Sequence, residues 1–256
     1  ALCYNHIAAC LNHVTTALIF PGGTRSGCKK TAEGIPLQDN EILWDIKKEV
    51  LALRIVIFSD VHGNLTALKA ALEQIKTRQP DKVICAGDLV GYAPFPNEVI
   101  DLIHAESIPT VMGNYDDGVG NDRPECGCAY KDTQAEALGQ QSLNWSKAYT
   151  TSANKDFLRR LPNHISFLAG RYRVMVVHGS PRRINEYLFA DKPEATLKRV
   201  LESANSDILV CGHTHIPYHK VIDGKHLINA GSVGKPKHGD PDSVYAILEI
   251  DEDVTG

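Results

Sequence analysis

Asp60 and His62 stand two positions apart in Ser59-Asp60-Val61-His62-Gly63-Asn64, presenting a carboxylate and an imidazole where an apolar run gives way to a turn. Four further short runs carry metal-ligand residue types: Gly87-Asp88, Gly113-Asn114-Tyr115-Asp116, His178-Gly179 and Gly212-His213-Thr214-His215. Carboxylate, imidazole and amide oxygen form a mixed nitrogen and oxygen donor set without thiolate. Such a set suits Mn²⁺, Fe, Zn²⁺, Ni²⁺ or Co²⁺, and affinity alone does not choose among them. One Asp-x-His at a strand end also occurs as a satisfied acid beside a surface histidine. Five such clusters in one chain are hard to explain as core histidines and turn residues.

The elements that must position these residues are legible as apolar runs ahead of each cluster. Arg54 to Phe58 is β-branched and apolar, which predicts a buried strand. Asn64 then caps a helix whose Leu65, Leu68, Leu72 and Ile75 share one face. Strands are expected over Lys82–Ala86, Ile108–Met112, Tyr172–Val177 and Asp207–Cys211, each delivering one cluster. Open α/β sheets place their sites at the C-terminal ends of strands.

In this order the motifs, D-x-H, G-D, G-N-Y-D, H and G-H-x-H, resemble the signature of the calcineurin-like metallophosphoesterases (D-x-H, G-D, G-N-H-[DE], H and G-H-x-H), in particular their small bacterial and archaeal phosphodiesterase-like branch. The resemblance runs over residues 53–250. It implies an α/β (α+β) fold, a four-layer αββα sandwich of two mixed β-sheets flanked by helices. It implies two divalent metal ions, Mn²⁺ first, with Asp60, His62 and His215 holding one. Asn114, His178 and His213 hold the other, and Asp88 bridges both. Paired ions of this kind acidify a bound water, so that a hydroxide exists near neutral pH, and disperse charge on a phosphate. Many relatives carry His after the Gly-Asn, where it protonates the leaving alkoxide beside an acid; here those positions are Tyr115 and Asp116, the catalytic pair the resemblance implies. A phenol is a weak donor near neutral pH, which favours substrates with good leaving groups.

The expected function is a dinuclear phosphoesterase acting on phosphodiesters or small phosphorylated molecules through a metal-bound hydroxide. The alternatives are a Ser/Thr-type protein phosphatase and a non-catalytic scaffold of the same fold. Arg182 and Arg183 could grip a phosphate, and a solvated loop pair fits them as well.

The rest of the chain is read around this frame. Residues 1–52 carry no motif and read as a poorly ordered extension, with a linker-like Pro21–Asn40, ahead of a metallophosphoesterase domain over 53–256. Residues 118–162 interrupt the strand and helix alternation and read as a helical cap beside the site. Its Cys126-Gly127-Cys128 has no second cysteine pair, and a structural zinc site takes four ligands, so a plain loop is expected there. Asp223-Gly224 predicts a two-residue hairpin turn.

The chain has a net charge of −4 and no long basic run, which speaks against a dedicated nucleic-acid surface. No stretch is long and apolar enough to span a membrane. Seven scattered cysteines suggest a reduced, cytoplasmic protein.

Overall fold

The computed structural model describes residues 7–11, 14–19, 45–46, 53–130 and 132–250. Among the described residues the first elements are β1 (Ile7–Leu11), β2 (Val14–Ile19) and β3 (Asp45–Ile46). Then come β4 (Leu53–Phe58), α1 (Leu65–Arg78), β5 (Lys82–Cys85) and α2 (Pro96–Ala105). Three helices follow, α3 (Asn114–Gly120), α4 (Thr133–Tyr149) and α5 (Ser152–Arg159). The remainder is β6 (His164–Ala169), β7 (Tyr172–Val177), α6 (Glu194–Ala204), β8 (Ile208–Cys211), β9 (Tyr218–Ile222), β10 (Lys225–Asn229) and β11 (Tyr245–Ile250).

The period-two alternation of β4 shows how the layers arise. Ile55 and Ile57 point into an inter-sheet core with Val174, Val176, Ile208 and Val210, while Val56 and Phe58 pack outward on Leu68, Leu72 and Ile75 of α1. On the far side, Leu197, Val200 and Leu201 of α6 cover Leu209 and Leu227. Helices, sheet, sheet and helix therefore stack as the expected four layers. One sheet runs β1-β2-β11-β4-β5 and the other β3-β6-β7-β8-β10-β9. Both are mixed: β4 and β5 are parallel with β11 antiparallel beside β4, and β7, β8 and β10 are parallel between antiparallel neighbours.

Local signals held where they were strongest. The Asn64 side chain accepts a hydrogen bond from Ala67 N at 3.1 Å, capping α1. Asp223 and Gly224 both have positive φ, 50° and 75°, the geometry of the tight turn between β9 and β10. Two expectations are corrected. Within residues 1–52, read as a poorly ordered extension, β2 pairs antiparallel with β11 along Val14–Ile19, and β3 pairs with β6. The β-branched Val14-Thr15-Thr16 run suits a strand that covers the otherwise open edge of β11; Pro21–Asn40 lies outside the described residues. Ile108–Met112 makes only an isolated parallel bridge, Thr110 to Cys85, because Pro109 has no N–H to extend a ladder.

Candidate metal centre

Strand ends on both sheets converge on one point. Asp60 and His62 follow β4, Asp88 follows β5, His178 follows β7, and His213 and His215 follow β8. The loops after β4 and β5 are tied together by Asp60 N to Gly87 O (2.9 Å), His62 N to Asp88 O (2.9 Å) and Gly63 N to Leu89 O (2.8 Å). Five of these residues, Asp60, His62, Asp88, His213 and His215, adopt left-handed φ between 49° and 64°. That conformation costs a non-glycine residue roughly 1–2 kcal/mol. Strain of this kind clusters at functional sites, where the surrounding structure over-determines it. Gly113 makes the packing possible: a Cβ there would lie 2.1 Å from Asp88 Oδ1.

The donor atoms form two groups. Asp60, His62 and His215 place one ligand atom each within 4.8 Å of one another, and so do Asp88, His178 and His213. All six side chains are buried, with 3% exposure at most. Three imidazoles are oriented by backbone carbonyls: His62 Nδ1 donates to Val90 O (3.0 Å), His178 Nδ1 to Ala86 O (2.9 Å) and His215 Nδ1 to Lys235 O (2.5 Å). A carbonyl only accepts, so each Nδ1 carries a proton and each Nε2 faces the centre.

The arrangement fits cations. His62 Nε2 and His215 Nε2 stand 3.2 Å apart, lone pair toward lone pair. His178 Nε2 meets Asn114 Oδ1 at 3.0 Å. Buried Asp60 Oδ1 and His213 Nε2 have no hydrogen-bond partner. Asp88 Oδ2 lies 3.4 Å from His178 Nε2 and 3.7 Å from His62 Nε2, between the two groups. Without ions, burial alone would favour neutral His178, yet the Asp88 carboxylate outweighs it and raises this imidazole to about 10. Burial, reinforced by His178, pushes His213 down to about 3. The pocket thus demands positive charge and offers unprotonated nitrogen beside it.

Asn114, at the start of α3, presents its Oδ1 to the second group because its Nδ2 is held elsewhere. That amide donates to Cys126 O (3.0 Å) and Cys128 Sγ (3.1 Å). The Cys-Gly-Cys stretch, expected as a plain loop, therefore orients a candidate ligand; both thiols are free. Asp116 differs from its expected part. Wholly buried, it accepts from Asp88 N (2.8 Å), Leu89 N (2.9 Å) and Gly113 N (2.9 Å). Burial, then the Asp88 charge, lift its carboxyl to about 7. With both oxygens accepting from backbone N–H groups, it positions the loop that carries Asp88. Tyr115 is buried, edge-on to His62 at 5.3 Å, with its hydroxyl 3.4 Å from that of Tyr130. Burial pushes the hydroxyl above the usual phenol range. Arg182 is paired with Glu186 and, with Arg183, lines a separate cavity behind His178.

Above the centre opens a cavity of about 490 Å³ with His62, Asp88, His213 and His215 on its floor. Its walls hold residues that the motifs did not flag: Tyr92, Tyr130, Tyr187, Lys235 and Lys237. Cys128, Ala129, Tyr130, Asp132, Ala135 and Leu138, from the segment read as a cap, form one side. The only local hint was the Ala230–Gly234 glycine loop that delivers Lys235.

The profile of the calcineurin-like phosphoesterase superfamily domain matches residues 53–253. An uncharacterized protein of Methanocaldococcus jannaschii is 33% identical over 213 residues, covering 76% of this chain and 82% of its own length. A probable metallophosphoesterase of Bacillus subtilis is 28% identical, covering 50% and 68%. The crystal structure of a metallophosphoesterase from Sphaerobacter thermophilus is 31% identical with a TM-score of 0.59, covering 77% of this chain and 84% of that one.

Proposed function

The chain belongs to the calcineurin-like phosphoesterase superfamily, and from that premise we propose that it is a dinuclear metal-dependent phosphoesterase acting on phosphodiesters or small phosphorylated molecules. The observation that carries this reading is the pair of triads meeting at Asp88, whose Oδ2 is within 3.7 Å of a histidine Nε2 on either side. In this assignment Asp60, His62 and His215 hold one ion, Asn114, His178 and His213 hold the second, and Asp88 serves both. Bound divalent ions, Mn²⁺ foremost, supply an acidified water and positive charge facing the phosphate.

The chain's own groups do the rest. Asp60 and Asp88 offset the charge of the ions. The Nδ1 bonds of His62, His178 and His215 keep their rings from turning. Asp116 fixes the loop that carries Asp88. Lys235 and Lys237 at the cavity rim draw an anionic substrate inward. Tyr115, kept protonated by burial, is a hydrogen-bond donor in the cavity and a weak acid, which favours esters with acidic leaving groups. A cavity of about 490 Å³ matches a small ligand better than a folded phosphoprotein. A scaffold would have no use for so complete a donor set. The free thiols of Cys85, Cys126, Cys128 and Cys211 support a reducing, cytoplasmic setting, and no described helix is long and apolar enough to cross a membrane.

The test is hydrolysis of an aryl phosphodiester with added Mn²⁺. Turnover should vanish on chelation and return with metal. Turnover that survives exhaustive chelation, or none on diesters or monoesters with any of the five candidate metals, overturns the reading.

A further inference from the structure

Four of the chain's nine tyrosines, Tyr92, Tyr115, Tyr130 and Tyr187, line the one cavity above the metal centre. Their ring contacts fall into two groups. In one, Tyr92 and Tyr115 pack at 5.0 Å, and Tyr115 meets the Tyr130 hydroxyl at 3.4 Å. In the other, Tyr187 lies 4.0 Å from the His213 ring and stacks on Phe189 at 5.5 Å and 7°. These side chains are seated by the fold. Tyr92 N donates to Ser142 Oγ at 2.6 Å, and Tyr187 Oη accepts from Ala129 N at 3.3 Å. A side chain at 139 would collide with Tyr130, since a Cβ on Gly139 would lie 2.1 Å from its hydroxyl. Lys235 Nζ rests 3.1 Å over the Tyr92 ring, a cation held at an aromatic face until an anion takes it.

A phosphate on the floor needs ions and lysines and has no use for aromatic walls. Paired rings bind flat π systems by stacking and tolerate many of them. We infer that one ester group of the substrate carries a planar aromatic base, so that the substrates are nucleoside phosphodiesters, with the base stacked on the cavity's tyrosines, Tyr130 and Tyr187 foremost, and the phosphate over the triads. This deepens the phosphoesterase reading and rests on it.

Two phosphodiesters with the same leaving group test it: the p-nitrophenyl ester of thymidylate and p-nitrophenyl methyl phosphate, at fixed Mn²⁺. The nucleoside ester should be favoured in kcat/KM by about 5- to 150-fold, the span of one stacked base. Tyr187→Leu and Tyr130→Leu should collapse that ratio toward one, whereas Tyr187→Phe, which keeps the ring, should keep it. Equilibrium dialysis of thymidylate against the chelated protein gives a readout free of turnover, with binding at least about fivefold weaker in Tyr187→Leu. Equal rates on the two esters in the unmodified protein overturn the inference and leave the phosphoesterase reading standing. No turnover of either ester removes that reading, and the dialysis then decides the inference alone. A preference that survives both leucine substitutions shows that the base is held elsewhere and overturns the aromatic stacking.

Discussion

The two triads of the metal centre look equivalent in residue type and differ in how they are held. In the first, His62 and His215 are both anchored at Nδ1 by backbone carbonyls, Val90 O and Lys235 O, and Asp60 Oδ2 takes His213 N at 3.0 Å. In the second, His178 has such an anchor, while His213 is braced by rings, Tyr187 at 4.0 Å and His178 at 5.0 Å. The additional oxygen there, Asn114 Oδ1, carries no charge and depends on a cysteine loop for its aim. Partners that orient ligands typically affect metal affinity by about 10–100-fold. The difference teaches that one site is fixed by the sheets and the other by what packs over it, so the second ion should be the weaker.

The largest expected effect removes the distinction altogether. Asp88→Asn takes the shared negative charge from both sites, and should cost about 10³-fold or more in turnover, as losing a central electrostatic group does, together with ion occupancy at both. Near-normal turnover with two ions bound would sink the bridging assignment. Next, His62→Ala and His213→Ala should separate the sites: stepwise metal titration of the second variant should retain one tight ion, and that of the first should disturb both, because His62 also approaches Asp88 Oδ2 at 3.7 Å. Matching titration curves would break the comparison.

A smaller effect sharpens it. Cys128→Ala leaves an Asn114 N–H without its sulfur acceptor, and should weaken the second ion by about 10–100-fold while leaving the first unchanged. Equal weakening of both ions would mean that the loop acts on the whole cavity. Smallest of all, Tyr115→Phe should slow an aryl phosphodiester by less than about tenfold, or about 1.4 kcal/mol of barrier. Abolished turnover with both ions in place would make Tyr115 the proton donor itself.

The contrast between floor and wall explains what the sequence could tell. Asp60-x-His62 and His213-x-His215 are legible because strand, turn and ligand lie within a few residues, and the local pattern encodes all three. Tyr92, Tyr130, Tyr187 and Lys235 come from four separate loops, with no spacing to connect them before the chain folds. Asp116 shows a subtler limit: its type and neighbourhood suggested chemistry, and only the three N–H groups converging on it reveal a positioning task. The Cys126-Gly127-Cys128 loop acts through Asn114, a contact across 12 and 14 residues that composition does not announce. Likewise β2 finds its partner β11 at the opposite end of the chain, beyond any local signal.

Each triad takes ligands from both sheets: Asp60, His62 and Asp88 from one, His178, His213 and His215 from the other. Ions held there would fasten the sheets at one end, joining His62 to His215 across 153 residues. Closing so long a loop carries an entropic cost that grows with the logarithm of its length, so neither triad exists until both sheets have docked. Cross-links that form this late act on escape from the native state rather than on arrival. Cys85, Cys126, Cys128 and Cys211 are free thiols, so none of these four supplies such a cross-link. Stripping the ions should hasten unfolding and leave the refolding rate nearly as it was.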